Sequence, residues 1–566
     1  MKKIHKILII LLIFSLLIIG GLYLSKGNNI INQHNTNTTE LTQKLTINMN
    51  EWKYDSENDI YYQLGLVYCT NPETTEYESL GIYVPGKYFD AKDNGNGTYT
   101  CTLKDEKIGN YSTNTAPIVM PVKTGGYTEC KAPAKYSSYE AANYTGSGMI
   151  YVYAGCRGKQ NNETYNGGAP WGVTDLKAAI RYLRFNNETL PGNTDNIFTF
   201  GHSAGGGQSA LLGTTGDNEL YRPYLESIGA AMVDKDGKTI SDSVAGSMCW
   251  NPITSFDSAD SAYEWNMGQY FKNGIRSNNT WTSSLSDDLA AEYASYVNDL
   301  KLKDSKGNEL KLEKSKTGIY NNGSYYDYIK SVIEESLNNF LNITEFPYTS
   351  NITGKDINYA NAQDYVDSLN NKIQWVEYDN NTNTVQVSNI EGFVKTCKQT
   401  TKRIGAFDNL DRNQSQNDLF GLNNSDSLHF NKVFINLLEN NSDKYSSYDD
   451  YNPDYINDYK KDISQVDLFN NSIQTRVNMY NPMYFICDYY EGYKTSKIAK
   501  YWRINSGIEQ GNTALTTEIN LALALNQTSD VERVDFETVW NKDHIPAERS
   551  GNSTTNFIHW INECLK

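Results

Sequence analysis

The chain has 566 residues, 39% of them apolar, and a formal net charge of −17. That is a globular composition, long enough for two to four domains or for one large domain with an insertion. Its acidic balance argues against a general affinity for nucleic acid or anionic membranes, and eight scattered cysteines without C-x-x-C spacing or a His/Cys cluster give no support for a zinc site.

The N-terminus reads as a targeting segment. Lys2, Lys3 and Lys6 precede an uncharged apolar run from Ile7 to Leu24, followed by Lys26. Such a run sits at the lower limit for a membrane span, and the basic flank places the N-terminus inside. No A-x-A cleavage site is evident and no cysteine is near to take a lipid, so an uncleaved anchor and a cleaved secretory signal both stay open. Either way residues 1–26 predict export, to the cell surface or the extracellular space, with membrane contact only through this segment. Residues 27–48, rich in Asn, Thr and Gln, read as a flexible tether. The 43 tyrosines and the Asn/Asp/Tyr runs read as solvated loops rather than as a sugar- or aromatic-binding surface.

Residues 49–255 read as the first part of an α/β core. Short β-rich runs at Tyr61–Tyr68, Leu80–Pro85 and Tyr99–Leu103 are separated by turn residues. Buried-strand runs follow at Pro117–Val122 and Gly148–Tyr153. Val173, Leu176, Ile180 and Leu183 then recur at helical spacing, and the next strand is Ile197–Phe200. Strand–helix–strand alternation implies a mainly parallel sheet with helices on both faces. After a strand candidate at Ala245–Trp250 the composition turns polar, with helical patches at Asp287–Leu300 and Tyr325–Leu341 and a hairpin-like Lys303–Lys314. Residues 256–465 therefore read as an inserted lid or cap. The core resumes over 466–566, with a strand at Lys500–Asn505, a helix carrying Leu515, Ile519, Ala522 and Leu523, a last strand at Val534–Trp540 and a closing helix.

The chemistry is concentrated at Gly201-His202-Ser203-Ala204-Gly205. G-x-S-x-G between a strand and a helix is a nucleophile elbow: a sharp turn projects the serine hydroxyl towards a base, and the flanking glycines admit the close backbone approach. The turn also aims the Ala204 N–H at the site of a developing oxyanion. A second donor is expected from Gly125 or Gly126, directly after the Ile118–Val122 strand. Among six histidines, His544 alone stands just past the last strand, where a general base in the chain order Ser, acid, His belongs. The acid should lie in the loop after Ile504. Glu509 is the only carboxylate there, Asn512 has a structural explanation as the N-cap of the next helix, and Asp543 adjoins His544 too closely to turn back onto its ring.

Several stretches carry a family likeness: Thr124-Gly125-Gly126-Tyr127, Ala154–Gly158, Gly168–Ala179, the elbow, Asn251–Thr254 with Ala262–Trp265, Ala406–Asp411 with Leu419–Gly421, Asn481–Met483 and Tyr501–Ile504. With them the chain resembles the bacterial tannase-like branch of the α/β-hydrolases, which includes related feruloyl- and other carboxylesterases. The resemblance implies an α/β-hydrolase fold, a Ser-His-acid esterase acting on a small-molecule ester without a cofactor, and a cap over the site. It places Lys402 where the tannase cap supplies a lysine for galloyl hydroxyls, Gln416 where it supplies a glutamate, and Gln510 and Asn512 in the loop that there supplies a further carboxylate. Those amides depart from the family pattern. Two other readings stand beside the esterase: a serine peptidase of the same fold, against which the lack of a peptide-gating domain argues, and a surface binding protein that has lost efficient turnover.

Overall fold

The computed structural model describes residues 44–566 except 165, 351–355, 399–401 and 423–426. The targeting segment and all but the last residues of the tether lie outside the described residues. Among the described residues no helix is long and apolar enough to cross a membrane.

Nine strands form one sheet: β1 (Lys53–Asp55), β2 (Ile60–Val67), β3 (Ser79–Pro85), β4 (Ile118–Val122), β5 (Ile150–Ala154), β6 (Ile197–His202), β7 (Gly246–Trp250), β8 (Tyr501–Gly507) and β9 (Arg533–Val539). Their spatial order is β1-β2-β3-β5-β4-β6-β7-β8-β9. The pairs from β5 through β9 are all parallel, whereas β1, β2 and β3 form an antiparallel edge joined to β5. The central strands β4 and β7 are buried along their whole length; β4 therefore reads as an unbroken apolar run, while Ser247 of β7 is buried against Ser209 at 2.8 Å. The principal helices are α1 (Trp171–Phe185), α2 (Ala204–Thr214), α3 (Ala259–Asn266), α4 (Trp281–Leu300), α5 (Ser324–Ile343), α6 (Ser415–Leu419), α7 (Leu515–Asn526) and α8 (Ser553–Cys564).

Alternation along β6 shows how both faces are covered. Thr199 Oγ1 meets Ser209 of α2 at 2.9 Å, while the next side chain, Phe200, lies 4.7 Å from Phe557 of α8, ring centre to ring centre. This is the α/β-hydrolase architecture. The helix α1 is pinned through buried ion pairs: Arg157 grips Asp175 at 2.7–2.9 Å, and Asp242 accepts from Lys177 at 2.7 Å and from Arg181 at 2.5–2.8 Å.

The stretch read as an insertion, 256–465, lies within the longer span between the end of β7 and the start of β8. Its outer part has a small core of its own, built on Trp281, Leu285, Leu289, Phe434, Leu438 and Tyr459. The last stretch of that span returns under the elbow: the helix Pro482–Ile486 contacts α2, and Tyr480 accepts a hydrogen bond from Gln208 at 3.2 Å. Two sequence readings need correction. The tether does not extend to residue 48, because Leu45 and Ile47 are buried and Asn186 bonds the Leu45 carbonyl and the Ile47 N–H, both at 2.9 Å. Nor does Asn512 cap α7, whose N-cap is Ala514 with no side-chain bond. Gln510 has already folded that loop, its Oε1 accepting from the N–H groups of Asn512 at 2.8 Å and Thr513 at 3.1 Å.

Candidate active site

Ser203 sits between β6 and α2 with φ 60° and ψ −125°, a strained backbone that a non-glycine residue adopts only when its surroundings enforce it. The flanking glycines make that possible. A Cβ on Gly201 would lie 2.4 Å from the Gly205 backbone, and one on Gly205 would lie 2.2 Å from the Val122 carbonyl. The Ser203 N–H is held by the Trp250 carbonyl at 2.9 Å. Its hydroxyl meets His544 Nε2 at 2.8 Å, so the structure joins two residues 341 positions apart.

The loop of His544 is anchored from two neighbouring strands. Asn251, itself at φ 43°, donates to the Ile545 carbonyl and accepts from the Gly507 N–H at 2.8 Å. Asn505 donates to the Ala547 carbonyl at 3.1 Å, and Glu548 takes Trp250 Nε1 at 2.9 Å and a two-pronged grip from Arg503. The Asp543 carbonyl packs so closely on Gly507 that a Cβ there would lie 2.1 Å away. His202, the second residue of the elbow, lies 4.8 Å from the His544 ring, the two rings tilted by 48°, and hydrogen-bonds its backbone. Burial pushes the His544 pKa down to about 4, helped by His202 and Lys402 and opposed by Asp543. The ring is therefore neutral at pH 7, the form a general base needs.

His544 Nδ1 is buried and has no hydrogen-bond partner among the described residues. Glu509, expected as the acid, does not supply one. Its N–H bonds the Lys542 carbonyl at 3.1 Å, and its buried carboxylate is held by the Asn541 backbone and by the charge of Lys398. Burial raises the Glu509 pKa to about 7, with Asp543 adding to the rise and Lys398 opposing it. Gln510 also turns away, its amide donating to Thr513 at 2.5 Å and Glu518 at 3.3 Å. Asp543 spends an oxygen on the His544 N–H at 2.7 Å. What the site holds is a Ser–His dyad.

The residues named for the oxyanion lie at the start of α2 and in the turn after β4. The Ala204 N–H opens α2 and has no carbonyl within the helix to bond. Gly125, after β4, borders open space, and Gly126 makes the turn at φ 61°. Thr124 anchors this turn on Gln208 at 2.6 Å, and Ser415 of α6 bonds the Gly126 carbonyl at 3.2 Å. That contact brings α6, with the buried Gln416, to the oxyanion turn. Lys402, in the insertion, is near enough for its charge to add to the lowering of the His544 pKa. Its Nζ lies 4.4 Å over the Phe407 ring, and burial lowers its pKa to about 8 while Asp260 resists. Tyr263 joins the pieces: its hydroxyl accepts from the Lys402 N–H at 2.7 Å and bonds the Gly511 carbonyl at 3.4 Å, one residue before the half-exposed Asn512.

The sequence reading assigned no role to Asn251, Tyr263, His202 or Lys398. Lys398 leaves the insertion to bind the Ile508 and Gln510 carbonyls, both at 2.6 Å, and so clamps the loop that should carry the acid. Asn251 and Tyr263 do lie in stretches that carry the family likeness, and their contacts give those stretches a physical meaning. No group of His, Cys, Asp and Glu suited to a metal ion occurs among the described residues.

Fold and elbow together define the class, an α/β-hydrolase. The BD-FAE family model, which is feruloyl-esterase-like, matches residues 108–267, a span that includes the oxyanion turn and the elbow. Among solved structures, the tannase of Fusobacterium nucleatum is similar at 27% identity and a TM-score of 0.68, over 92% of this chain and 99% of that one. The tannin acyl hydrolase of Lactobacillus plantarum is similar in fold at 24% identity and a TM-score of 0.64, over 90% and 94% of the two chains. A complex of tannin acyl hydrolase with ethyl gallate matches at 24% identity and a TM-score of 0.63, again over 90% and 94%. No curated protein matches the chain in sequence. These likenesses support an ester hydrolase.

Proposed function

We propose that this protein is an exported serine carboxylesterase acting on a small-molecule ester, with an aromatic acid as the acyl group. The observation that carries the proposal is the 2.8 Å contact of His544 Nε2 with Ser203 Oγ at a strained elbow. Ser203 Oγ attacks the ester carbonyl as His544 takes its proton, and the Ala204 and Gly125 or Gly126 N–H groups stabilise the oxyanion. The C–O bond to the alcohol then breaks, His544 returns the proton to the departing oxygen, and water releases the acid by the same steps in reverse. An aromatic acyl group is supported by Lys402, Gln416 and Asn512, which offer a cation and two amides to ring hydroxyls, and by the ethyl gallate bound to the similar acyl hydrolase. Export is supported by the Lys2–Lys26 segment.

A second reading has its own observation. The bare Nδ1 leaves the imidazole tautomer unfixed, and loss of the acid in a triad costs about 10⁴ in turnover, so the chain would be a hydrolase-fold binding protein. Labelling of the full chain in detergent with a fluorophosphonate, beside Ser203→Ala, separates the two. Rapid labelling lost in the variant, with hydrolysis of aromatic esters, supports the esterase. A folded wild type that neither labels nor cleaves any ester overturns it.

A further inference from the structure

Two of the eight cysteines stand directly opposite each other. Cys130 and Cys156 form an antiparallel bridge, the N–H of each bonding the carbonyl of the other at 2.9 Å. Opposed residues of such a pair put their side chains on one side of the ribbon, with Cα atoms about 5.5 Å apart. A disulfide spans about 4.4–6.8 Å between Cα atoms, so the backbone already has the separation that bond requires. The other cysteines in strands or bridges face other residues: Cys69 lies opposite Ala230, Cys101 opposite Ala91, and Cys249 between Gly201 and Ile504. The two segments are also packed flush. A Cβ on Gly155 would lie 2.7 Å from the Ala132 nitrogen, and one on Gly158 would lie 2.1 Å from the Glu129 nitrogen.

Both sulfurs occupy one enclosed space. The Tyr153 hydroxyl lies 3.5 Å from Cys130 Sγ. Burial raises the Tyr153 phenol, and Cys130 and Cys156 both add to the rise. Burial also lifts the Cys156 thiol well above its usual range, with Cys130 adding to it. The Cys130 thiol is raised by burial too, but Tyr153 and Lys123 favour its thiolate, which makes it the better nucleophile of the two. We propose that Cys130 and Cys156 are a disulfide site, closed by a glutathione-class disulfide as the two segments pair during folding. The Cys130 thiolate attacks the S–S bond of the oxidant and expels one thiolate; the Cys156 thiolate then attacks Cys130 Sγ of the mixed disulfide and expels the second. The two cysteines are oxidised, the oxidant is reduced to two thiols, and these take up the cysteine protons. The bond would staple the chain just past the oxyanion turn, which ends at Tyr127, to the end of β5. In the cell it needs an oxidising compartment, and to that extent it rests on the export reading.

The test is to reduce and unfold the full chain, refold it in detergent with oxidised and reduced glutathione, then denature, alkylate and digest it. A peptide pair joined through Cys130 and Cys156, and separated by dithiothreitol, is the expected result; this map needs no variant. The urea midpoint of the wild type should fall when dithiothreitol is present, because the staple restricts the unfolded chain, and that fall should vanish in Cys130→Ala. Refolded wild type in which both thiols are alkylated would overturn the site. So would either cysteine joined to a different partner, or a midpoint that dithiothreitol leaves unmoved. The same peptide map on chain recovered from the producing cells tests export separately. Free thiols there, beside a bond that forms on refolding, would overturn the export reading and leave the pairing standing.

Discussion

His544 has one nitrogen engaged and one bare, and two consequences follow. With its pKa held at about 4 by burial, with His202 and Lys402 adding to the drop, the base is neutral throughout the physiological range. The kcat/KM profile should therefore stay level from pH 8 down to about 5 and fall only as pH drops through about 4, where protonation removes the base. Gln510→Asp would add a carboxylate to the loop. If that carboxylate reaches Nδ1, it should move the acid limb upward, because a negative neighbour favours the charged ring. The rate should rise by about tenfold or more, since an oriented imidazolium is what the missing acid supplies. A second expectation concerns Glu509, which lies against Lys398 and the Asn541 backbone instead of His544. Glu509→Gln should change kcat by less than about tenfold, against the roughly 10⁴ expected of a triad acid. A loss of that larger size in steady-state kinetics would restore Glu509 to the catalytic role.

At the scale of elements, α1 shows how a motif with no catalytic part earns its place. Burial would raise the Asp242 pKa, but Lys177 and Arg181 outweigh it and hold the value at about 2. A depressed carboxylate contributes stability above its unfolded pKa of about 4 and loses it as pH falls from there through about 2. Asp242→Asn should strand two buried cations and cost about 3–5 kcal/mol in urea unfolding at pH 7. The same elements show what could be read from the chain. β4 announced itself because both its faces are covered, so apolar residues run on without alternation, and β6 and β7 by short runs of mostly apolar residues. Ser203 and His544 were legible from their places after β6 and β9. The acid was not, because the direction of side chains in the Gly507–Thr513 loop is set by Lys398 and Glu518, from distant parts of the chain. Asn512 misled for a related reason: Gln510 uses its side chain to make the turn that an N-cap would have made.

For the whole molecule, the described chain is docked from its first residues. Leu45 and Ile47 are buried and tied to Asn186 at the end of α1. A fragment beginning at residue 50 should be less stable than one beginning at residue 44 by about 3 kcal/mol or more, the value of burying two aliphatic side chains. Equal urea midpoints for the two fragments would mean that this docking contributes nothing. The stretch read from composition as a tether therefore ends before Leu45.

The insertion between β7 and β8 also sets a timetable. These strands are parallel neighbours, with Gly246 opposite Tyr501, so β8 and β9, the last two strands of the sheet, must wait for the whole intervening stretch to be made. Loop closure over such a span is slow to be rewarded by contacts. The nucleophile leaves the ribosome long before its base, and the contact between Ser203 and His544 is among the last that synthesis permits. A chain cut short before β9 would carry an elbow with no base and be chemically silent. Activity then becomes a property of the finished chain, withheld until its C-terminal strands have arrived.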